Sequence, residues 1–345
     1  MKRCKYSEGG RAGKQGKLSG VQRVLILCIV PDIKESYDNL KLLFDLIQIN
    51  KISFRFVADL KVTLLVNGFQ TASSTYPCPY CYVSMKDLRS QNSTSNDKSS
   101  NNMKQFLSTY EDATRHYKNF CSLEKNKKIA KECFSTVNNP IFEEGAGTTV
   151  LQKCVIPELH ILQGFVNHLF WNGLVPLVGR EVALSWPQRL GLVTNSYQGE
   201  IFKGNACRRL LKEADRILDL DTDRAKLELV PIISALKAMN KVVEDCFSTN
   251  QVKSELIQDI VSLRKVFRAT GVSETLKIHI ALNHLEECIA YLGNCGLGLW
   301  SEQAGESGHR EFLKTWIRYK LNNVYDERYG SNLLRAVIDF SSSHL

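Results

Sequence analysis

The residues best suited to chemistry are two cysteines and two histidines. Cys78-Pro79-Tyr80-Cys81 is a Cys-x2-Cys pair, and Pro77 and Pro79, one opening each limb, stiffen the knuckle. Two thiolates at that spacing can reach one metal ion from a tight knuckle. Far downstream, His279 and His284 form an H-x4-H pair within the spacing used by Cys2His2 zinc sites. Together they would make a split site, a staple between the knuckle and a late helix. One geometrical condition applies. On an ideal helix, positions i and i+5 are about 140° apart. Both imidazoles can reach one ion only where the helix starts, ends or bulges. Spacing alone leaves open a plain turn and two helix-surface histidines.

Carboxylates are the second candidate set. Asp59 ends an apolar alternating segment, and Glu302 and Glu306 share one helical face as an i, i+4 pair. Two-metal phosphoryl transfer needs several carboxylates converging on cations about 3.5–4 Å apart. The competing reading is an Asp that caps a turn and glutamates that are simply solvated. A third set is basic. Phe202-Lys203-Gly204-Asn205 opens a helix, with Asn205 as the expected N-cap. Lys203, Asn205, Arg208, Arg209 and Lys212 form a candidate DNA-contacting group at that helix start, where free N–H groups favour phosphate. A capped helix with a wet basic face is the plainer reading. Pro157-Glu158-Leu159-His160 starts another helix, with His160 read as a capping or core residue. No Walker-type loop, G-x-S-x-G, H-E-x-x-H or dinucleotide fingerprint occurs.

The elements that would position these residues follow from periodicity. Residues 21–31 read as a buried strand, 35–49 as a helix and 52–58 as a second strand through Ile52, Phe54 and Phe56. This strand–helix–strand unit has the length of a parallel crossover. Gln91 to Asn102 is a polar low-complexity loop. Helical patterning then dominates, at about 104–119, 157–173, 204–219, 223–248, 252–269, 273–293, 302–319 and 331–342.

Composition narrows the class. The 345 residues carry 45 Lys and Arg against 36 Asp and Glu, a net charge of +9. Hydrophobic content of 43% and charged content of 23% are globular values, which argues against global disorder. No window reads as a transmembrane helix and no secretory signal is evident, so no membrane partner is expected. The eleven cysteines are spread over the whole chain and suit reduced, buried or metal-bound thiols rather than a disulfide framework. Residues 1–20 hold six basic side chains against Glu8 alone and read as a flexible basic arm, for which phosphate contact is the leading functional reading.

Several motifs fall in the order found in one family. ADLK at 58–61, YPCPYC at 76–81, PELHI at 157–161, FKGNACRRLL at 202–211, HIALNH at 279–284 and SEQAGESGHREF at 301–312 carry the resemblance, as does IVPDIKESYDNLKLLFDL at 29–46. The chain resembles the catalytic core of RAG-type V(D)J recombinases and Transib-like DDE transposases. That resemblance implies an α/β fold plus a large α-helical part: a truncated RNase H-like core with a helical insertion and a zinc-stapled knuckle. Its divisions would be a basic arm (1–20), a partial RNase H-like α/β unit with the knuckle (21–85), a polar loop with short helices (86–150), a helical insertion (151–270) and a helical segment with the histidines and final acid (271–345). It implies structural Zn²⁺ on Cys78, Cys81, His279 and His284. It makes Asp59 the second catalytic acid and Glu306 the third, with Glu302 as runner-up, serving Mg²⁺ or Mn²⁺ in DNA nicking and strand transfer. It further implies DNA as partner, a nuclear location and a homodimer.

One departure qualifies this. The family's first acid precedes the counterpart of residues 21–30, and this chain has no aspartate before Asp32. The expectation is a fragment or a domesticated derivative that binds DNA and does not cleave it alone. The alternative is a helical protein-interaction scaffold with a structural zinc and no nucleic acid partner.

Overall fold

A computed structural model describes residues 34–90, 107–123, 126, 128–194, 201–223, 226–321, 323 and 325–342. The arm at 1–20, the strand at 21–31 and the loop from Gln91 to Asn102 lie outside the described residues. The first helix, α1, runs Tyr37–Leu46. Ser36 caps it in extended geometry, its hydroxyl accepting from the Asn39 amide. Its half-buried face, Leu40, Phe44 and Ile47, packs on the main core.

Residues 52–58 do not form a strand of a sheet. Their backbone pairs only at Phe56, through a parallel bridge to Cys154. Phe56 N donates to Lys153 O and Val155 N donates to Phe56 O. The expected α/β, RNase H-like core is therefore overturned: the described residues are mostly helical and hold isolated bridges but no sheet. The physical reason lies in the aromatic pattern. Phe54 meets Phe142 edge-on and Phe56 meets it at a tilt, both at ring-centroid distances of 5.1 Å, and Phe44 meets Phe56 edge-on at 5.9 Å. The Lys153 ammonium lies 3.5 Å from the Phe54 ring centroid and closes this cluster. Ile52, the first residue of the alternation, is exposed. The period of two is thus used to build an aromatic cluster against one short neighbour.

Short helices follow: α2 (Leu60–Val66), α3 (Met85–Ser90), α4 (Tyr110–Ser122) and α5 (Val150–Lys153). Thr109 caps α4, and Thr149 with Gln152 forms a capping box on α5. The helical body comprises α6 (Glu158–Leu169), α7 (Val175–Val178), α8 (Arg180–Arg189), α9 (Gly204–Lys212), α10 (Lys226–Cys246), α11 (Leu256–Ala269), α12 (Leu276–Asn283) and α13 (Leu285–Tyr291). A π-helical turn, Phe170–Leu174, joins α6 to α7.

Helix α6 is the centre of this body because it is apolar on nearly every side. Leu159, Ile161, Leu162, Phe165, Val166 and Leu169 are all buried. Full burial of such a side chain is worth about 1.5–3 kcal/mol. Two glycines let neighbours approach closely. A Cβ on Gly204 would stand 2.4 Å from Leu159 Cδ1, so α9 sits directly on α6. A Cβ on Gly164 would stand 2.3 Å from Lys277 Cδ, so α12 lies on another side. Helices α10 and α11 pack as a hairpin through buried rows such as Ile232, Leu236, Met239 and Val243 on α10 and Leu256, Ile260, Leu263 and Phe267 on α11.

From Gln303 onward the chain forms a second unit. It contains most of α14 (Glu302–Trp316) and all of α15 (Tyr329–Ser342). Its small core is Phe312, Trp316, Ala336 and Phe340. Among the described residues no helix is long and apolar enough to cross a membrane, and the cysteines are free thiols, most of them buried.

Candidate metal centre

The knuckle is positioned by backbone pairing on both sides. Met85 N donates to Thr75 O and Ser108 N donates to Tyr80 O, each at 2.8 Å, and Cys81 bridges antiparallel to Leu107. Tyr80, between the cysteines, is wholly buried and turns its ring edge toward His284 at 5.7 Å. The sulfurs are thereby carried into the core rather than left at a surface turn.

The histidines arrive from α12, which Thr275 caps. His279 lies inside the helix. The helix then ends at Asn283, and His284 adopts φ −123° and ψ −10° before α13 begins at Leu285. This is the condition that the H-x4-H spacing demands: the break removes the wide angular separation of an unbroken helix. Cys78, Cys81, His279 and His284 are each at most 5% exposed. Their ligand atoms all lie within 4.8 Å of one another.

The distances test the fit. Cys78 Sγ lies 3.5 Å from His284 Nε2, Cys81 Sγ 3.3 Å from His279 Nε2, and the two Nε2 atoms 3.2 Å apart. With metal–sulfur bonds of about 2.3 Å and metal–nitrogen bonds of about 2.05 Å, a tetrahedron has S···N edges of about 3.6 Å and an N···N edge of about 3.3 Å. The donor set is two soft thiolates and two imidazoles. These four residues could hold a metal ion, and their geometry is compatible with zinc.

Burial and mutual hydrogen bonds shift the Cys78, Cys81 and His279 side chains. Burial pushes the Cys78 thiol well above its ordinary value. The hydrogen bond from Cys78, aided by both imidazoles, holds Cys81 well below it. Burial lowers His279, so its imidazole is neutral and able to ligate. Outside the ligands, the Asn283 carboxamide lies 3.1 Å from His279 Nδ1 and 3.0 Å from the His279 carbonyl. One nitrogen, Asn283 Nδ2, makes both contacts, and it donates to the His279 carbonyl, holding the backbone turn beside the ligand. Arg264 of α11 donates from Nη2 to the Leu282 carbonyl, in the last turn of α12. Asn283 and Arg264 were not among the sequence candidates. The i, i+4 relation of His279 to Asn283 is a signal that could have found the first.

The other sequence candidates are not gathered into this site. Asp59 is the N-cap of α2, its Oδ1 accepting from Val62 N at 2.8 Å. Glu302 and Glu306 lie in α14, and their side chains are outside the described set. On α9 the N-cap is Lys203, without a side-chain capping bond, so Asn205 is not the cap but an exposed first-turn residue. Lys203, Asn205, Arg209 and Lys212 are exposed. Arg208 is half-buried and pairs with the buried carboxylate of Glu158 at 3.6 Å. Glu158 also accepts from the Ser301 hydroxyl at 2.7 Å. Arg208 therefore serves the packing of α9 on α6.

Among the described residues, the chain is mostly helical and gathers a buried Cys2His2 group that could hold a metal ion. A family described as a domain of unknown function (DUF8703) matches residues 23–116, which include Asp59 and both cysteines and stop short of the histidines. No curated protein matches the chain.

Proposed function

We propose that this chain is a transposon-derived DNA-binding protein whose helical body is held by a structural zinc ion and which does not cut DNA on its own. The observation that carries the reading is the buried Cys2His2 group, built from the same four residues that the ordered recombinase-like motifs single out. A site with four protein ligands and no open position has a structural rather than a catalytic role. Three further features support the reading. The chain carries a net charge of +9. The α9 face offers exposed Lys203, Asn205, Arg209 and Lys212 to phosphates. The Asp59 carboxylate is engaged in capping α2. A nuclear location follows from this reading.

The test is a salt titration of binding to a labelled DNA duplex. For B-DNA, log K falls with log salt at a slope of about −0.9 per phosphate neutralised. Arg209→Ala with Lys212→Ala should reduce the slope by about 1.8. Absence of binding at low salt, or affinity independent of salt, overturns the DNA reading. Metal analysis of the purified chain should find one zinc per molecule.

A second reading rests on the C-terminal unit. Leu313, Ile317, Leu334 and Ile338 are exposed there at 43%, 72%, 60% and 58%, an apolar surface that suits a protein partner. A chain that captures a protein and ignores DNA would favour this scaffold reading.

A further inference from the structure

The cluster depends on a helix that stops at the right residue, and the question is what stops it. Helix α12 ends at Asn283 and α13 starts at Leu285, with only His284 between them. Neither proline nor glycine stands at the break. Had the two helices run as one, His279 and His284 would diverge by about 140° and could not share an ion. A helix end leaves its last carbonyls without intrahelical donors. His284 N still serves Ile280 O, and His284 O receives Cys288 N as α13 begins. The Leu282 carbonyl belongs to a residue that is wholly buried. It accepts an N–H from Arg264.

Arg264 is placed for this by its own helix. It lies half-buried between the apolar Ile260 and Phe267 on α11, with Arg268, Glu274, Glu286 and Glu287 near enough to act on its charge. A guanidinium in such a position is unfavourable unless it has a partner. Its five donors in a rigid fork make it suited to holding a carbonyl at a fixed direction. The Leu282 carbonyl is two residues from one ligand and three from the other, so the bond acts on the segment that connects the two imidazoles. The hydrogen bond of Arg264 goes to this backbone carbonyl rather than to a ligand atom, while its charge also acts on His279.

We infer that Arg264 is the positioning residue of the metal centre: by capping the end of α12 it holds the break that brings His279 and His284 onto one ion. This rests on the reading that the four residues hold a metal.

The test uses the full chain, stripped of metal by a chelator and titrated with Co²⁺, whose visible absorption reports tetrahedral thiolate ligation. Wild type is compared with Arg264→Met, which keeps the stem and loses the donors, and Arg264→Gln, which keeps an N–H donor and loses the charge. Outer-shell partners of metal ligands typically change affinity 10–100-fold. The expected result is a loss of about tenfold or more in Arg264→Met, with a weakened tetrahedral band, and recovery of most of both in Arg264→Gln. Wild-type affinity and spectrum in Arg264→Met overturn the proposal, and so does an Arg264→Gln as weak as Arg264→Met. If circular dichroism shows Arg264→Met unfolded, the Gln variant decides. Affinity near wild type then supports the donor role, and a tenfold loss overturns it. Failure of the wild-type chain to bind Co²⁺ refutes the metal reading itself, whereas tight wild-type binding with unaffected variants refutes only the role of Arg264.

Discussion

Replacing Cys78 with serine removes one of two thiolates from a group that sits in the core. The size of the effect can be worked from the geometry. The three short donor separations, 3.2–3.5 Å, differ from the edges of a zinc tetrahedron by about 0.1–0.3 Å. Little rearrangement is needed, so binding energy appears largely as stability of the folded chain. At free zinc of 100 times Kd that contribution is about 2.7 kcal/mol. For a unit of this size, about 1 kcal/mol moves Tm by about 2–4 °C, so chelation should lower the wild-type Tm by about 5–11 °C. In Cys78→Ser the same chelator should shift Tm by no more than about 2 °C, since a three-ligand site with a hard hydroxyl in the fourth place binds zinc far more weakly. Differential scanning fluorimetry with and without chelator, paired with metal analysis, gives both readings. A Cys78→Ser protein that keeps one zinc and the full chelator shift would refute the argument. So would a wild type whose Tm ignores metal.

Other perturbations probe the surrounding structure. Asp59→Ala should cost about 1 kcal/mol, the usual worth of an N-cap, while Asp59→Asn should stay close to wild type in a denaturant titration; equal losses in both would mean the charge, not the cap, matters. Gly204→Ala places a methyl 2.4 Å from Leu159 Cδ1 and should destabilise by about 1–3 kcal/mol, read as a lower denaturation midpoint with unchanged slope. Glu274 is buried, and that burial raises its carboxyl from 4.5 to about 7. A raised acid pKa means the folded state holds the proton that the unfolded state has released between pH 4.5 and 7. Stability should therefore fall as pH rises through that window, by about 3 kcal/mol in all. Glu274→Gln should flatten that slope, and a variant with the wild-type pH profile would remove Glu274 as its source.

Legibility in the sequence followed the range of the interactions. The long helices α10 and α11 were readable because their apolar rows repeat at the helical period and pack on each other locally. The segment Ile52-Phe54-Phe56 misled because period-two patterning says which side chains alternate and not what they meet. Here they meet Phe44 and Phe142, and a sheet neighbour is lacking among the described residues. The expected helix at 273–293 is interrupted at His284, and the interruption depends on Arg264 in another helix, which no local pattern contains. At the site, residue type and spacing pointed to the four ligands, and even to the need for a helix end. Partners one step removed were hidden. Arg208 was a candidate phosphate contact with a capped basic helix as the plainer reading, and its ion-pair partner, the buried Glu158, stands 50 positions away in the chain.

The distance along the chain between the two halves of the cluster sets an order of events during synthesis. Cys78 and His284 are separated by 206 positions. At about 5–20 residues per second, a ribosome needs about 10–40 s to deliver the second half after the first. During that interval the knuckle's two thiols stand without the two imidazoles that complete the four-residue group. A polypeptide that ends between the knuckle and His284 lacks part of the four-residue group, however much of the helical body it holds.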